Sequence, residues 1–186
     1  MNSSVKKFNY VADISNISHY IIREFLDNKM IAVDATLGNG YDTEFLSNNF
    51  KMIYSFDIQE NACKEYLKKQ KDNVMIINDS HELLDKYIKE EVDCIMYNLG
   101  FLPGGNKEIT TQHITSLKSI KLGLKLLKHG GLMTICIYRG HNEGKEEEHY
   151  ILDYLKTLDK GEFGVMHHSF LNRSKTSPIL VVVEKK

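Results

Sequence analysis

Four short segments of this chain carry residues whose types and order could do chemistry. The first is "DATLGNGYDT" (34–43). Gly38 and Gly40 have no Cβ, so backbone there can approach a ligand closely. A dinucleotide fingerprint would put a third glycine or alanine at position 43, under a pyrophosphate, and position 43 is Thr. Asp34 lies four residues before the first glycine. Its carboxylate would be unfavourable beside a pyrophosphate and favourable beside an ammonium group. The loop therefore suits a cofactor with a positive end, and Thr36, Asn39, Asp42 and Thr43 join Asp34 and the glycines as candidate contacts. In "SFDIQ" (55–59), Asp57 follows Asp34 by 23 residues, about where an acidic side chain binds ribose hydroxyls in dinucleotide-type folds, and Gln59 lies beside it. In "INDSH" (77–81), Asp79, Ser80 and His81 are placed to face an adenine. The plain alternative is that Asp34 and Asp57 only cap the helices that follow them.

The fourth segment, "MYNLGFLPGGNKEITTQ" (96–112), is too long and glycine-rich for a simple turn. Asn98-Leu99-Gly100-Phe101 resembles the Asn-Pro-Pro-Tyr tetrapeptide of methyltransferases that act on amino nitrogens. Its chemistry can be argued directly. A methyl transfer to nitrogen is an in-line displacement, so a neutral amine must be held with its lone pair aimed at the methyl carbon. The Asn98 side-chain oxygen and the Leu99 carbonyl could accept the amine's hydrogens, with Asn98 also bordering the cofactor. Phe101 could stack on a flat base, and Gly100, Pro103 and Gly104 would shape the substrate side. Leu and Gly replace both prolines, so this backbone is less pre-set. The bland reading is that Asn98 ends a strand and Phe101 plugs the core.

Further along, "CIYRGHNEGKEEEHY" (136–150) offers Tyr138, Arg139, His141 and Lys145 to a substrate phosphate or base. His141 could accept the amine's proton near neutral pH, or it could merely precede a helix. Glu146 to Glu148 read as a solvated face. Of Thr110 and Thr111, one is expected to cap the next helix. His19, in "ISHYIIREFL", is either a half-buried helix residue or a group reaching the cofactor pocket. His167 and His168 point to opposite faces of a strand, and no His/Cys/Asp spacing resembles a metal site. Lys118, Lys121, Lys125 and Lys128 form a basic helix face, and "NRSK" (172–175) is a second basic patch; either is a candidate for an RNA backbone.

These segments need a scaffold that brings them to one edge. "MIAVDA" (30–35), "MIYSFDI" (52–58), "VMIIN" (74–78), "VDCIMYN" (92–98) and "LMTICIY" (132–138) are apolar runs with little polar alternation, as in strands buried on both faces of a parallel sheet. Between them, 42–48, 59–70, 80–89 and 110–129 carry helical spacing, and a further helix is expected at about 13–27. In the 110–129 helix, Ile114, Leu117, Ile120, Leu124 and Leu127 share one face and Gly130 is the expected stop. The last two runs, "EFGVMHHSFLN" (162–172) and "SPILVVVEKK" (177–186), are too close for a crossover helix and should pair antiparallel. The expectation is an α/β fold: seven strands, mostly parallel, reversed at the C-terminal end, with helices on both faces. In such a sheet the ligand lies outside the carboxyl ends of the strands.

The totals fit one domain over residues 1–186. A length of 186 residues is enough for one buried core. Net charge is −1, which argues against strong non-specific nucleic-acid binding while allowing a local basic face. The chain has no apolar run of the roughly 20 residues that would span a bilayer and no signal-peptide pattern at its start, so cytoplasmic residence is expected. Cys63, Cys94 and Cys136 are odd in number and widely spaced, and are read as buried free thiols.

The ordered series of acidic-glycine loop, acidic second strand and polar third strand resembles the class I S-adenosylmethionine-dependent methyltransferases, with a Rossmann-like fold. "DATLGNGYDT", "FDIQ", "NLGFLPGGNKEITT" and "IYRGHNEGKEE", in this order, resemble the small bacterial family named putative rRNA methylases over roughly residues 10–184. Better-defined members of that family methylate the 5-aminomethyl group of the wobble 2-thiouridine in tRNA. Against the family's pattern, Tyr41 and Phe101 are aromatic variants and Asn142 stands where proline is usual. The resemblance implies S-adenosylmethionine as cofactor, with its amino acid end near Asp34, and an anticodon stem-loop as partner. A chain this small offers little surface for such a stem, so a homodimer is expected. Three rivals stand beside this reading: a methyltransferase on rRNA or a small amine, an NAD-dependent oxidoreductase, and a non-catalytic RNA-binding module.

Overall fold

Each of the seven apolar runs becomes a strand of one sheet. A computed structural model describes residues 8–11, 13–102, 104 and 109–186 of the chain. The strands are β1 (Ile31–Asp34), β2 (Met52–Phe56), β3 (Val74–Ile77), β4 (Val92–Leu99), β5 (Leu127–Ile137), β6 (Phe163–His168) and β7 (Ile179–Lys185). Their order across the sheet is β3-β2-β1-β4-β5-β7-β6. The first five are parallel, and β7 runs antiparallel to both β5 and β6. The mostly parallel, C-terminally reversed sheet expected from the sequence is thus the one observed. Strand order reverses between β1 and β4, and the loops after both strands leave the same edge of the sheet there.

The helices are α1 (Ile14–Phe25), α2 (Tyr41–Ser47), α3 (Glu60–Leu67), α4 (Leu84–Tyr87, after a 3-10 turn at His81–Leu83), α5 (His113–Leu126) and α6 (Asn142–Leu155). Alternation along the strands divides the core between the two faces of the sheet. Val33, Ile95, Tyr97, Met133, Ile135 and Val181 face α4, α5 and α6. Ala32, Ile53, Cys94, Met96, Cys136 and Leu180 face α1 and α2, and Cys63 and Tyr66 of α3 join Leu37 near β3. All three cysteines are buried and free, as expected.

Two expectations about the 110–129 helix are corrected. It ends at Leu126, and Leu127 already begins β5, whose pairing with β4 reaches back to Val92↔Leu127. Gly130, at φ +75°, therefore bends a strand instead of stopping a helix. Its buried face is only in part the expected stripe: Ile120, Leu124 and Leu127 are buried and Leu117 half-buried, but small residues share that face. Ser116, Ser119, Ile120, Gly123 and Leu124 are buried, whereas Ile114 is 70% exposed. A Cβ at Gly123 would come within 2.9 Å of Met133 and 3.0 Å of Ile95, so the helix is pressed too close to the sheet for large side chains to fit. The lysine face is mostly engaged: Lys118 pairs with Glu82 and Lys128 with Asp93, and Lys121 lies over the Tyr154 ring.

Candidate functional site

The loop after β1 turns sharply because Gly38 and Gly40 both take positive φ, +49° and +76°, which other residues adopt only with strain. Gly40 N–H closes the turn on the Leu37 carbonyl at 2.7 Å, and Leu37 N–H reaches the Phe56 carbonyl of β2 at 2.8 Å. What approaches Gly40 is the Tyr66 ring, 2.3 Å from where a Cβ would stand, and Leu102 of the loop after β4 comes within 3.3 Å of the same point on Gly38. The two glycines thus permit packing of α3 and of the β4 loop against this turn. Asn39 is at its exposed tip. At the end of β2, half-buried Asp57 accepts the N–H groups of Gly38 (Oδ2) and Gln59 (Oδ1), each at 2.8 Å. Each carboxylate oxygen can accept again, so two sites remain for hydroxyl donors. Beside it Ile58 is 60% exposed, an apolar surface at the rim of a polar loop that sequence reading had passed over.

Several residues expected to touch a cofactor instead brace the loop from beneath. Asp34 and Thr43 are fully buried. Asp34 accepts the Thr36 N–H at 3.0 Å and the Thr43 hydroxyl, which also lies 2.6 Å from Ser55 Oγ. Burial, together with nearby Asp42, pushes the Asp34 carboxyl up to about 7 against those hydrogen bonds. His81 is 8% exposed, and its Nδ1–H donates to the Ala35 carbonyl at 3.0 Å. Burial lowers its pKa, so it is a neutral prop behind β1 and not an adenine contact. Ser80 accepts the Glu82 N–H as the cap of the 3-10 turn, and remains half-buried at the rim.

At the switch point the ends of β1 and β4 are tied together. Asn98 N–H donates to Thr36 Oγ1 at 2.8 Å. The Asn98 Nδ2 group donates to Ser15 Oγ and to Asp42 Oδ2, both at 3.1 Å. Its Oδ1 is buried with no hydrogen-bond partner. An acceptor left so in a folded protein costs about 1–3 kcal/mol and calls for an explanation. Asp42, 5% exposed, is also bonded to His19 Nε2 at 2.6 Å, so it faces inward and not toward the glycine turn. The Leu99 carbonyl already accepts the Tyr138 N–H at 3.1 Å, and the Gly100 carbonyl the Thr111 N–H at 3.1 Å. That leaves the Asn98 oxygen, and not the Leu99 carbonyl, as the acceptor without a partner. Phe101 pairs with Thr110 across a β-bridge and meets the His141 ring edge-on at 5.6 Å. Gly104 is exposed; Pro103 lies outside the described residues.

The segment after β5 closes the other side. Tyr138 is 36% exposed, and burial of its ring pushes its hydroxyl up to about 12. His141 Nε2 lies 3.1 Å from Thr110 Oγ1, and its Nδ1 is buried without a hydrogen-bond partner. Thr110 and Thr111 do not cap α5. Instead Glu143 of α6 accepts the first helical N–H, that of His113, at 2.6 Å. Arg139 is folded back onto the Ser177 carbonyl and Glu148, at 2.6–2.8 Å, and does not present its guanidinium outward. Lys145 is exposed on α6. The glutamate run is a solvated face only in part: Glu146 is exposed and Glu148 half-buried. Glu147 is fully buried, accepts the Ser116 hydroxyl at 2.7 Å, and is pushed up to about 7 by burial. Among the described residues no group of His, Cys, Asp or Glu could hold a metal.

Sequence reading had not assigned Ser15 a role. The signal was its spacing: Ser15 and His19 are four apart, on one face of α1, and both reach the Asn98–Asp42 cluster.

Known proteins share this fold. The profile of the family described as Putative rRNA methylase matches residues 53–184. The chain is similar to the tRNA (mnm(5)s(2)U34)-methyltransferase, chloroplastic, of Arabidopsis thaliana, at 29% identity over 92% of this chain and 69% of that one. It is similar in structure to a putative rRNA-methylase from Clostridium thermocellum, with TM-score 0.87, 37% identity, and 92% and 97% of the two chains covered. A putative methyltransferase from Streptococcus mutans in complex with SAH matches with TM-score 0.84 and 39% identity over the same shares.

Proposed function

Since the chain belongs to the Putative rRNA methylase family, we propose that this S-adenosylmethionine-dependent methyltransferase acts on an amino nitrogen of RNA, the 5-aminomethyl group of a tRNA wobble uridine. The relative from Arabidopsis thaliana supports the substrate, and the Streptococcus mutans complex with SAH supports the cofactor. The observation that carries the reading is the buried, unpartnered Asn98 Oδ1 at the end of β4, beside the glycine turn of β1.

The residues present fit that cofactor. Asp57 keeps acceptor capacity for two ribose hydroxyls, and Ile58 offers an apolar face for the adenine beside it. Ser80 and Gln59 flank that position. When bound, S-adenosylmethionine supplies a methyl carbon made electrophilic by its sulfonium. The chain's own task is to present the amine. An alkyl amine is already nucleophilic once neutral, so orientation matters more than a strong base. Asn98 Oδ1 accepts one amine hydrogen, which satisfies its missing partner and directs the lone pair. Phe101 and Tyr138 flank the base. His141, through its Nδ1, is the candidate to receive the proton that the amine releases. With the cofactor bound, the lone pair that Asn98 aims would form the new C–N bond as the C–S bond breaks, and the bonding pair would leave with sulfur. Two copies of a chain of 186 residues would share the work of holding an anticodon stem.

The test is to incubate the protein with S-adenosylmethionine and tRNA bearing 5-aminomethyl-2-thiouridine, then weigh the digested nucleosides. One added methyl on that nucleoside alone is the expected result. If S-adenosylmethionine binds but the nucleoside gains nothing, the wobble uridine is discarded and ribosomal RNA is tried. Tight NAD binding without S-adenosylmethionine binding would favour an oxidoreductase, and RNA bound equally well without cofactor and never methylated would favour a binding module.

A further inference from the structure

A side-chain carboxamide is nearly symmetric in shape, and a half-turn about its last bond exchanges an acceptor oxygen for a donor NH2. The proposed transfer needs the Asn98 oxygen toward the amine. Nothing in β4 itself decides this. Asp42 of α2, held by His19 of α1, does, and the Ser15 hydroxyl, which can accept or donate, adds a second acceptor for the NH2 group in that orientation. Nδ2 of Asn98 lies 3.1 Å from Asp42 Oδ2 and 3.1 Å from Ser15 Oγ. The other Asp42 oxygen is 2.6 Å from His19 Nε2, and the His19 ring is stacked on Phe45 with centroids 3.9 Å apart and planes 5° apart.

A carboxylate only accepts, so the His19 nitrogen that faces it is the donor. If the Asn98 amide were reversed, its oxygen would meet the Asp42 oxygen, two acceptors face to face at a site where Asp42 is 5% exposed. The orphaned Oδ1 then has an explanation. The amide cannot turn to satisfy it without creating a worse contact. We infer that Ser15, Asp42 and His19 are positioning residues that lock the Asn98 carboxamide with its NH2 inward and its oxygen toward the substrate amine. This rests on the reading of Asn98 as the amine's acceptor. It makes the first turns of α1, the helix that precedes the glycine loop, part of the catalytic apparatus, although none of the three residues need touch the substrate.

The test has one readout independent of catalysis and one within it. In nitrogen-labelled protein the Asn98 NH2 resonance is identified by its loss in Asn98→Ala, and its hydrogen exchange is followed. Ser15→Ala and Asp42→Ala should each speed that exchange by about 10-fold or more while β4 backbone amides stay protected. In methylation assays Asp42→Ala should lower kcat by about 10-fold or more in the natural background and by less than about 2-fold in the Asn98→Ala background, because its effect passes through Asn98. Ser15→Ala should act in the same direction, and Ser15→Thr, which keeps the hydroxyl, should restore the rate. NH2 exchange unchanged in both alanine variants would overturn the inference. So would a loss of rate equal in both backgrounds, or one that follows weakened SAH binding. If the unaltered protein methylates no RNA while NH2 exchange responds as expected, the proposed reaction fails and the lock stands.

Discussion

At the scale of single residues, the site separates into groups that face a ligand and groups that hold those groups still. In the proposed reaction Asn98 and Asp57 belong to the first kind, so their variants should fail differently. Asn98→Ala is expected to leave SAH binding nearly intact and to reduce methyl transfer by about 10²-fold or more, the loss of one orienting contact. Asp57→Ala should weaken SAH binding first, with kcat at saturating cofactor much less affected. Calorimetric titration beside steady-state kinetics reads both, and equal loss of cofactor binding in Asn98→Ala would move Asn98 out of the substrate role. The sequence shows where strands end, so Asn98 and Asp57 were legible as candidates. It does not show which way a side chain turns at such an end. Asp34 also ends a strand, and Thr43 and His81 lie in the helix or turn that follows one, yet all three turn under the loop and are buried.

At the scale of elements, α5 and α6 meet through contacts that no periodicity reports. Glu147 lies in a run of three glutamates, and its burial follows from the facing Ser116 hydroxyl, which lies 31 residues away in sequence. The α5 stripe held only for Ile120, Leu124 and Leu127 for a related reason: a helix held tightly to a sheet also buries serine and glycine, and leaves Ile114 outside. Both contacts yield predictions. A Cβ at Gly144 would fall 2.0 Å from the Tyr138 carbonyl oxygen and 2.9 Å from the His141 ring. Gly144→Ala should therefore destabilise the protein by about 1–3 kcal/mol and displace His141. Gly140→Ala, with nothing within 4 Å, should stay within about 0.5 kcal/mol; urea melts distinguish the two. Glu147 titrates at about 7 in the fold against an ordinary value of 4.5. Because the folded value is the higher, its contribution to stability is complete below pH 4.5 and declines as pH rises to about 7. Glu147→Gln should match the natural protein near pH 4.5 and exceed it at pH 8 by on the order of 2–3 kcal/mol. A variant no more stable at pH 8 would mean the carboxylate is better accommodated than its burial implies.

At the scale of the whole molecule, sedimentation should find a particle of twice the 21.5 kDa chain, and an anticodon stem-loop should add to it without splitting it; a single-chain mass with RNA bound would remove the shared-stem arrangement. The parallel part of the sheet was legible from five apolar runs, and the reversal from the short connection before the last one. The position of that last strand was not. β7 lies between β5 and β6, and among the described residues β6 has no other strand neighbour. The strand synthesised later is thus the one that seats the strand synthesised earlier. On the ribosome, β6 would wait as an unpaired segment until residues 179–185 had emerged, and a stall or cleavage before them would cost the sheet two strands instead of one.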